Sequence, residues 1–252
     1  MSATKEHYHE EIEAGMRSKS NPPCVPLFSQ GDEERKKERP ILFSTPMVQA
    51  ILAGRKTQTR RVVKKIHPNS KNLLPESEML NHSIGFTFWE PDQFEVPENE
   101  RLVSLVKCPY GKPGHLLWVR ETFDSKSGCL GSVLFKANYS TKELNQAAKG
   151  VFRWKPSIHM KKDYARIWLE VEEIKVERLK DISHDDCPEE GIEMIGTKFK
   201  NYLGNEPTYN QRISFRSLWQ SINGLESWEQ NPWVWVVKFK VISTTGKPVL
   251  TT

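Results

Sequence analysis

The chain has 252 residues, of which 37% are hydrophobic and 27% charged, a composition typical of a globular protein of one large or two small domains. No apolar run approaches the roughly 20 residues needed to cross a bilayer, and the polar, acidic first 15 residues do not resemble a signal peptide. We therefore expect a cytoplasmic protein with no membrane partner.

The cysteines and histidines give no support to a metal centre. Cys24, Cys108, Cys129 and Cys187 lie far apart without a Cys-x-x-Cys pair, and the seven histidines are scattered. Reduced thiols in a cytosol are the simpler interpretation. We expect neither a metal ion nor a cofactor.

The formal net charge of +5 comes from one short segment. Residues 55–65 carry six cations and no anion, whereas residues 1–39 carry seven cations and eight anions, and residues 66–252 carry 24 of each. A cationic segment on an otherwise balanced chain favours an anionic partner, and nucleic acid or a nucleotide is the leading candidate.

Residues 1–39 differ from the rest of the chain. Asn21-Pro22-Pro23 and Pro26 break any helix, and residues 31–39 are almost entirely charged. We interpret residues 1–39 as a mobile N-terminal arm, followed by a single folded domain over 40–245 and a tail at 246–252.

The first elements of the folded domain are a strand and a short helix. Ile41-Leu42-Phe43 predicts a buried strand. Ser44-Thr45-Pro46 supplies a cap residue and an early proline, and Gly54 supplies the terminator, so we predict a helix between them. The threonines and valines of the basic segment that follows favour extended structure.

The middle of the chain combines an insertion with three strands. Residues 66–104 are rich in Asn, Pro and Glu and predict an irregular insertion. Strands are predicted at 116–123, 133–139 and 166–179. In the last of these the apolar alternation slips at Glu172-Glu173, which indicates a bulge of the kind that bends a sheet.

A short helix is predicted after the longest strand. Ser183 and Asp186 resemble a capping box, which starts a helix through Glu190 that Gly191 closes.

The last third contains a long connection over 191–225 and a final strand over 233–241. Four apolar residues at helical spacing predict a helix within the connection: Phe215, Leu218, Trp219 and Ile222. Strands dominate over few short helices along the whole chain. We therefore expect an α+β fold, a small mixed β-barrel with short peripheral helices.

The segment Gly54-x-Lys56-x-x-x-Arg60-Arg61, placed after a capped helix, resembles the signature of ASCH domains in the PUA-like superfamily. The similarity covers about residues 39–242 and extends to the phage- and prophage-encoded branch of that family through five further blocks: RPILFSTPMV (39–48), CPYGKPG (108–114), LWVRET (117–122), WKPSIHM (154–160) and NPWVWVV (231–237). The resemblance implies a PUA-like barrel and, for a phage-encoded protein, a bacterial host cytosol.

The resemblance also implies a catalytic set. At motif level the chain is similar to the bacterial N4-acetylcytidine amidohydrolases of the family, whose proposed lysine, threonine and glutamate fall on Lys56, Thr59 and Glu190. A further basic residue of that site falls on Arg61. The resemblance thus implies an amidohydrolase that removes an acyl group from a modified nucleobase or nucleoside.

These residue types suit that chemistry. A threonine hydroxyl is a poor nucleophile unless a base takes its proton. Lys56 serves as that base only when neutral, which requires its pKa to fall by roughly three units. Neighbouring Arg55, Arg60 and Arg61 disfavour its charged form, and the same arginines would hold a phosphate or stabilise an oxyanion.

Four further residues are candidates for substrate binding, each with a structural alternative. Arg120 and Glu121 also fit a cross-strand ion pair, Trp154 fits stacking on a base or packing in the core, and His159 fits a structural role. Two other functions remain open: a non-catalytic reader of RNA or modified DNA, and a ribonuclease. A carboxylate near the basic segment argues against a reader, because it repels phosphate.

Overall fold

The computed structural model describes residues 37–64, 72–73, 85–89, 103–128, 132–147 and 150–249. Most of the predicted N-terminal arm and most of the predicted insertion lie outside these residues. The strands are β1 (Glu38–Leu42), β2 (Gln58–Val62), β3 (Asn72–Leu73), β4 (Gly85–Trp89), β5 (Val103–Lys107), β6 (Leu116–Arg120), β7 (Phe123–Asp124), β8 (Leu134–Phe135), β9 (Trp168–Arg178), β10 (Met194–Ile195), β11 (Lys198–Phe199) and β12 (Trp233–Ser243). The helices are α1 (Thr45–Leu52), α2 (Thr141–Gln146), α3 (Asp186–Glu189) and α4 (Gln211–Asn223).

A five-stranded mixed sheet forms the centre of the structure, in the order β1-β6-β9-β12-β2. β1 and β6 are parallel, and the other neighbours are antiparallel. The long strands β9 and β12 lie at its middle. Trp235, Val236 and Val237 of β12 are all buried, because helices and loops cover both faces of the sheet at this point.

The predicted bulge in β9 is confirmed. Lys238 pairs with Glu173 and the next residue, Phe239, pairs with Val171, so Glu172 is the extra residue of the ladder. The change of phase in the sequence is the direct signature of this insertion, because one extra residue shifts every following side chain to the opposite face.

The α+β class with short helices is confirmed, whereas no closed barrel is detected in the described residues. β1 and β2 are the two edges of the sheet and do not pair with each other. Instead, Nη2 of Arg61 in β2 donates to the carbonyl oxygen of Leu42 in β1 at 2.6 Å. In a closed barrel, backbone hydrogen bonds would join these two edges. Here a side chain joins them instead, and we call the gap between β1 and β2 the open seam of the sheet.

Two other expectations differ from the structure. Within and just after the segment interpreted as irregular, β3, β4 and β5 form an antiparallel three-stranded sheet. The strand predicted at 133–139 is limited to β8, paired with β7, and gives way to a 3-10 turn over Lys136–Asn138. The short β10-β11 pair was also not predicted, and it lies within the long connection.

The predicted helices at α1, α3 and α4 are confirmed. Ser44 occupies the N-cap position of α1, but its side chain makes no capping hydrogen bond. Oγ of Ser183 accepts from the backbone N–H of Asp186 at 3.1 Å, which is one of the two hydrogen bonds of the predicted capping box, but the N-cap residue of α3 is Asp185. None of the helices among the described residues has the length and apolarity needed to cross a membrane.

Candidate active site

Lys56 is placed by the turn that follows α1. Gly54 adopts the left-handed conformation (φ +71°), and the backbone N–H groups of Arg55 and Lys56 both donate to the carbonyl of Ala50. Lys56 then forms an antiparallel bridge with Glu190, directly after α3. Two segments 134 residues apart in sequence are thereby brought side by side.

Lys56 and Glu190 form a buried pair. Nζ of Lys56 lies 3.1 Å from Oε2 of Glu190 and donates to the carbonyl oxygen of the same residue at 2.7 Å. Their side chains are only 2% and 5% exposed. The structure therefore brings together two of the three residues predicted to be catalytic, and it holds the amine on carboxylate and carbonyl oxygens.

Gly191 makes this close approach possible. Its φ is +85°, and a Cβ at this position would lie 3.0 Å from the Cβ atoms of both Ala50 and Lys56. A side chain here would be strained by the backbone conformation and would also press on α1 and on the catalytic candidate. The glycine predicted as a helix terminator thus also sets the distance between the two segments.

Arg60 lies at the centre of a cluster of carboxylates. Its Nη1 is 3.0 Å from Oε1 of Glu190, its Nη2 is 2.9 Å from Oδ2 of Asp186, and its Nε donates to Oε1 of Glu177 at 2.8 Å. Its side chain is fully buried. Burial opposes its charge, but Glu190 and Glu177 more than compensate, so the pKa of Arg60 is raised.

This arrangement changes the interpretation of the basic segment. Arg60 was expected to contact substrate, whereas the structure binds its guanidinium to three carboxylates. Lys56 is likewise paired internally. The segment is therefore not a continuous cationic surface.

The environment of Lys56 lowers the pKa of its amine. Burial lowers the pKa of Lys56, Glu190 opposes this effect, and the positive charges of Arg61 and Arg60 reinforce it. A lowered pKa is what the predicted role of Lys56 as general base requires. Burial lowers it more than the arginines do, whereas the sequence had pointed first to the arginines.

Thr59 lies in β2 opposite Val237 and is 4% exposed. Together with Lys56 and Glu190 it lines a cavity of about 460 Å³ at the open seam of the sheet. The cavity thus contains all three predicted catalytic residues. Its remaining lining is Leu42, Phe43, Ser44, Met47, Arg60, Arg61, Val62, Lys64, Tyr110, Phe215, Leu218, Trp219, Ile222 and Asn223.

Arg61 and Lys64 give this cavity its exposed positive charge. The guanidinium of Arg61 lies over the Phe43 ring, 5.2 Å from its centroid, and its Nε is buried with no hydrogen-bond partner among the described residues. Lys64 is exposed. Neither has a carboxylate partner in the part of the chain that the structure describes, so both are available to an anionic ligand.

The aromatic lining is the part of the site that sequence reasoning missed. Phe43, Tyr110, Phe215 and Trp219 come from three separate parts of the chain, the last two from α4. The helical spacing around Phe215 and Trp219 predicted α4 but not its place in the cavity wall, because periodicity does not distinguish packing against a core from lining a cavity. Trp219 Nε1 is buried and has no hydrogen-bond partner within the described ranges.

Arg55 lies outside the cavity lining. Its Nη1 donates to the carbonyls of Gly191 and Ile192, each at 3.3 Å, so it braces the turn after α3.

The other four candidates are also outside the lining of this cavity. Arg120 donates to the carbonyls of Ser157 and Ile158, and Glu121 forms a bidentate pair with Arg166 at 2.8 and 2.9 Å, so the two are not paired with each other. Trp154 stacks on Phe152 with ring centroids 4.8 Å apart, and His159 is exposed in a 3-10 turn. Their roles in binding stay predictions.

No protein-family model matches the chain, and no curated protein sequence matches it either. Among solved structures the chain is similar to protein EF3133 from Enterococcus faecalis V583, described with the family-model DUF984. The match has 9% sequence identity, covers 85% of this chain and 86% of that chain, and has a TM-score of 0.33. A likeness at this level carries no argument about function. Within the described residues no group of three or more His, Cys, Asp or Glu side chains is placed to hold a metal ion.

Proposed function

We propose that the cavity hydrolyses the amide bond of an acylated nucleobase, with N4-acylcytidine as the model substrate. The observation that carries the proposal is the buried pair of Lys56 and Glu190 at 3.1 Å in a cavity that Thr59 also lines. The motif resemblance to ASCH amidohydrolases supports the same three residues. A buried amine and a hydroxyl that line one cavity are the two groups that an activated nucleophile needs.

The proposed reaction has two steps. The neutral amine of Lys56 takes the proton of the Thr59 hydroxyl, whose oxygen attacks the acyl carbonyl. The resulting tetrahedral oxyanion collapses, the C–N bond breaks, and the exocyclic amine leaves with the proton from Lys56. Lys56 then deprotonates a water molecule, whose oxygen attacks the ester carbonyl. The bond from the acyl carbon to the Thr59 oxygen breaks, that oxygen takes the proton back from Lys56, and the carboxylic acid is released.

Glu190 and Arg61 have separate tasks in this scheme. When Lys56 accepts a proton, the new ammonium faces the Glu190 carboxylate, which stabilises it. Arg60 holds the second oxygen of that carboxylate at 3.0 Å, so Glu190 stays in place in both protonation states of Lys56. The half-buried guanidinium of Arg61 lines the same cavity and supplies positive charge for the oxyanion.

The cavity suits a planar base. A volume of about 460 Å³ lies within the range of small-molecule sites. Phe43, Tyr110, Phe215 and Trp219 supply apolar and aromatic lining, and Lys56, Thr59 and Glu190 supply the polar groups of the proposed reaction. This is the combination that orients a nucleobase by packing and acts on one exocyclic group.

Purified protein should release the acyl group from N4-acetylcytidine, measured by chromatography of the nucleoside product. Lys56→Met should lower kcat/KM by at least about 10³-fold, because the base is lost while Arg60 still pairs with Glu190 and preserves the fold. Lys198→Met, outside the cavity, should keep wild-type activity. An inactive wild type across a panel of acylated nucleosides would refute the hydrolase.

A reader of nucleic acid is the second candidate. It is favoured by Arg61 and Lys64, which line the cavity without a carboxylate partner in the described ranges. Such a reader would bind without turnover, and its affinity would fall steeply with salt because phosphate contacts release counterions.

A further inference from the structure

A second cavity adjoins the candidate active site. It measures about 630 Å³ and shares Val62, Lys64 and Tyr110 with the first. Its other lining residues are Val106, Lys107, Pro109 and Trp235. The two cavities therefore meet along the end of β2, on the side of the site away from α4.

The charged residues that the structure describes in the lining of the second cavity are all cations. Lys64, two residues after β2, and Lys107 at the end of β5 are both exposed, and none of the described lining residues is a carboxylate. Neither lysine has an ion-pair partner among the described residues. The Tyr110 hydroxyl adds a donor, since burial raises the pKa of Tyr110 and keeps it protonated. Two ammonium groups and a phenol thus line one cavity, with Lys64 and Tyr110 at the rim shared with the first, and such groups suit the oxygens of a phosphate.

We propose that the second cavity binds the phosphate next to the acylated base, so that the substrate is a nucleotide or a nucleic-acid strand instead of a free nucleoside. The inference rests on the proposed function. It follows from the contact between the two cavities. A base held in the first cavity places its sugar and phosphate at the shared rim, where Lys64 and Tyr110 lie. The apolar side chains of Val62 and Val106 offer contact to the sugar.

The test compares kcat/KM for four substrates: N4-acetylcytidine, its 5′-monophosphate, its 3′-monophosphate and a short oligonucleotide containing one N4-acetylcytidine. At least one phosphorylated substrate should exceed the nucleoside by about tenfold. Lys64→Gln and Lys107→Gln should each reduce that preference by roughly threefold or more. Lys142→Gln, an exposed lysine of α2 outside both cavities, should leave the preference unchanged. Equal kcat/KM for all four substrates would overturn the inference and leave the hydrolase intact.

A binding measurement separates the two proposals. Fluorescence polarisation with a labelled cytidine oligonucleotide reports on the phosphate subsite without any turnover. If no acyl group is released but Lys64→Gln and Lys107→Gln weaken binding, the phosphate subsite is supported and the hydrolase is rejected. If those variants bind the oligonucleotide as tightly as wild type, the subsite is rejected.

Discussion

At the scale of single residues, the carboxylate of Glu190 connects the basic segment to α3. One oxygen accepts from Lys56 and the other from Arg60, at 3.1 and 3.0 Å. Because Arg60 remains charged, loss of the proton from Lys56 does not leave Glu190 without a cation. A buried carboxylate with two cationic partners is the feature that lets the neighbouring amine change its protonation state.

The pH dependence of acyl release should report the pKa of Lys56. A general base works when deprotonated, so kcat/KM should rise with pH through a midpoint below the ordinary lysine value of 10.5, in the direction set by burial. Arg61→Gln should move this midpoint upward, because it removes a positive charge that lowers the pKa. Arg55→Gln, whose guanidinium binds the carbonyls of Gly191 and Ile192, should not move it. An unchanged midpoint in Arg61→Gln would contradict this explanation.

The residues around Lys56 show what the sequence was able to predict. Glu190 was placed beside Lys56 by motif resemblance, and the structure puts them in contact. Arg60 was assigned to substrate because its three carboxylate partners lie 117 to 130 positions away, where no local pattern reveals them. Charge counting along a segment does not distinguish an exposed cation from one paired across the fold.

At the scale of elements, local chemistry predicted the boundaries that depend on local contacts. The ends of α1, the hydrogen bond from Asp186 to Ser183 at the start of α3 and the bulge at Glu172 follow from neighbours within a few residues. The region at 133–139 has the alternation of a strand, but only β8 pairs, with β7. Strand length depends on a partner elsewhere in the chain, which periodicity does not supply.

Gly191 and Gly54 offer a matched test of how two elements are held together. Both adopt positive φ, but a Cβ at Gly54 would have nothing within 4 Å, whereas one at Gly191 would press on Ala50 and Lys56. Gly191→Ala should lower the free energy of unfolding by about 2–4 kcal/mol, from backbone strain and overpacking together. Gly54→Ala should cost only about 1 kcal/mol.

Urea denaturation of the two variants measures the difference. Gly191→Ala should also reduce acyl release, since the displaced Lys56 loses its geometry. Equal destabilisation by the two substitutions would show that the close approach at Gly191 does not matter.

At the scale of the whole molecule, the open seam of the sheet is the feature that produces a site. The edges β1 and β2 meet through Arg61 and Leu42, and residues of α1 and α4, together with Glu190 directly after α3, line the cavity. The sequence indicated a closed barrel because many short strands around a bulge favour closure. Whether edges pair depends on side chains at the seam, and here a guanidinium occupies that position.

Acid should destabilise the fold through two buried or half-buried aspartates. Burial raises the pKa of Asp186, but hydrogen bonding and charge from Arg60 outweigh burial, so the pKa is lowered. Burial also raises the pKa of Asp124, but hydrogen bonds that include backbone N–H donors of Lys126, Ser127 and Arg153 hold it well below its usual value. A carboxyl group with a depressed pKa stabilises the fold above its unfolded-state value and loses that contribution as pH falls through the folded-state value. The free energy of unfolding should therefore decline below about pH 4.

Asp124→Asn tests this directly by denaturation at pH 7 and pH 3. The amide is a weaker acceptor for three backbone donors, so the variant should lose roughly 2 kcal/mol at pH 7 and show a smaller further loss at pH 3 than wild type. Asp163→Asn, at an exposed position, should behave as wild type. An acid response of Asp124→Asn as large as that of wild type would rule out this carboxylate as a source.

The central claim is that Lys56 and Thr59 act as one catalytic unit, and a double-mutant cycle of kcat/KM for acyl release tests it most directly. Lys56→Met and Thr59→Val each preserve side-chain size, and Lys198→Met serves as the unrelated control. We expect each single variant to lose at least about 10³-fold and the double variant to be no slower than the slower single variant, because the base has no task without the nucleophile. Losses that multiply in the double variant, or a Thr59→Val enzyme as fast as wild type, would contradict the claim.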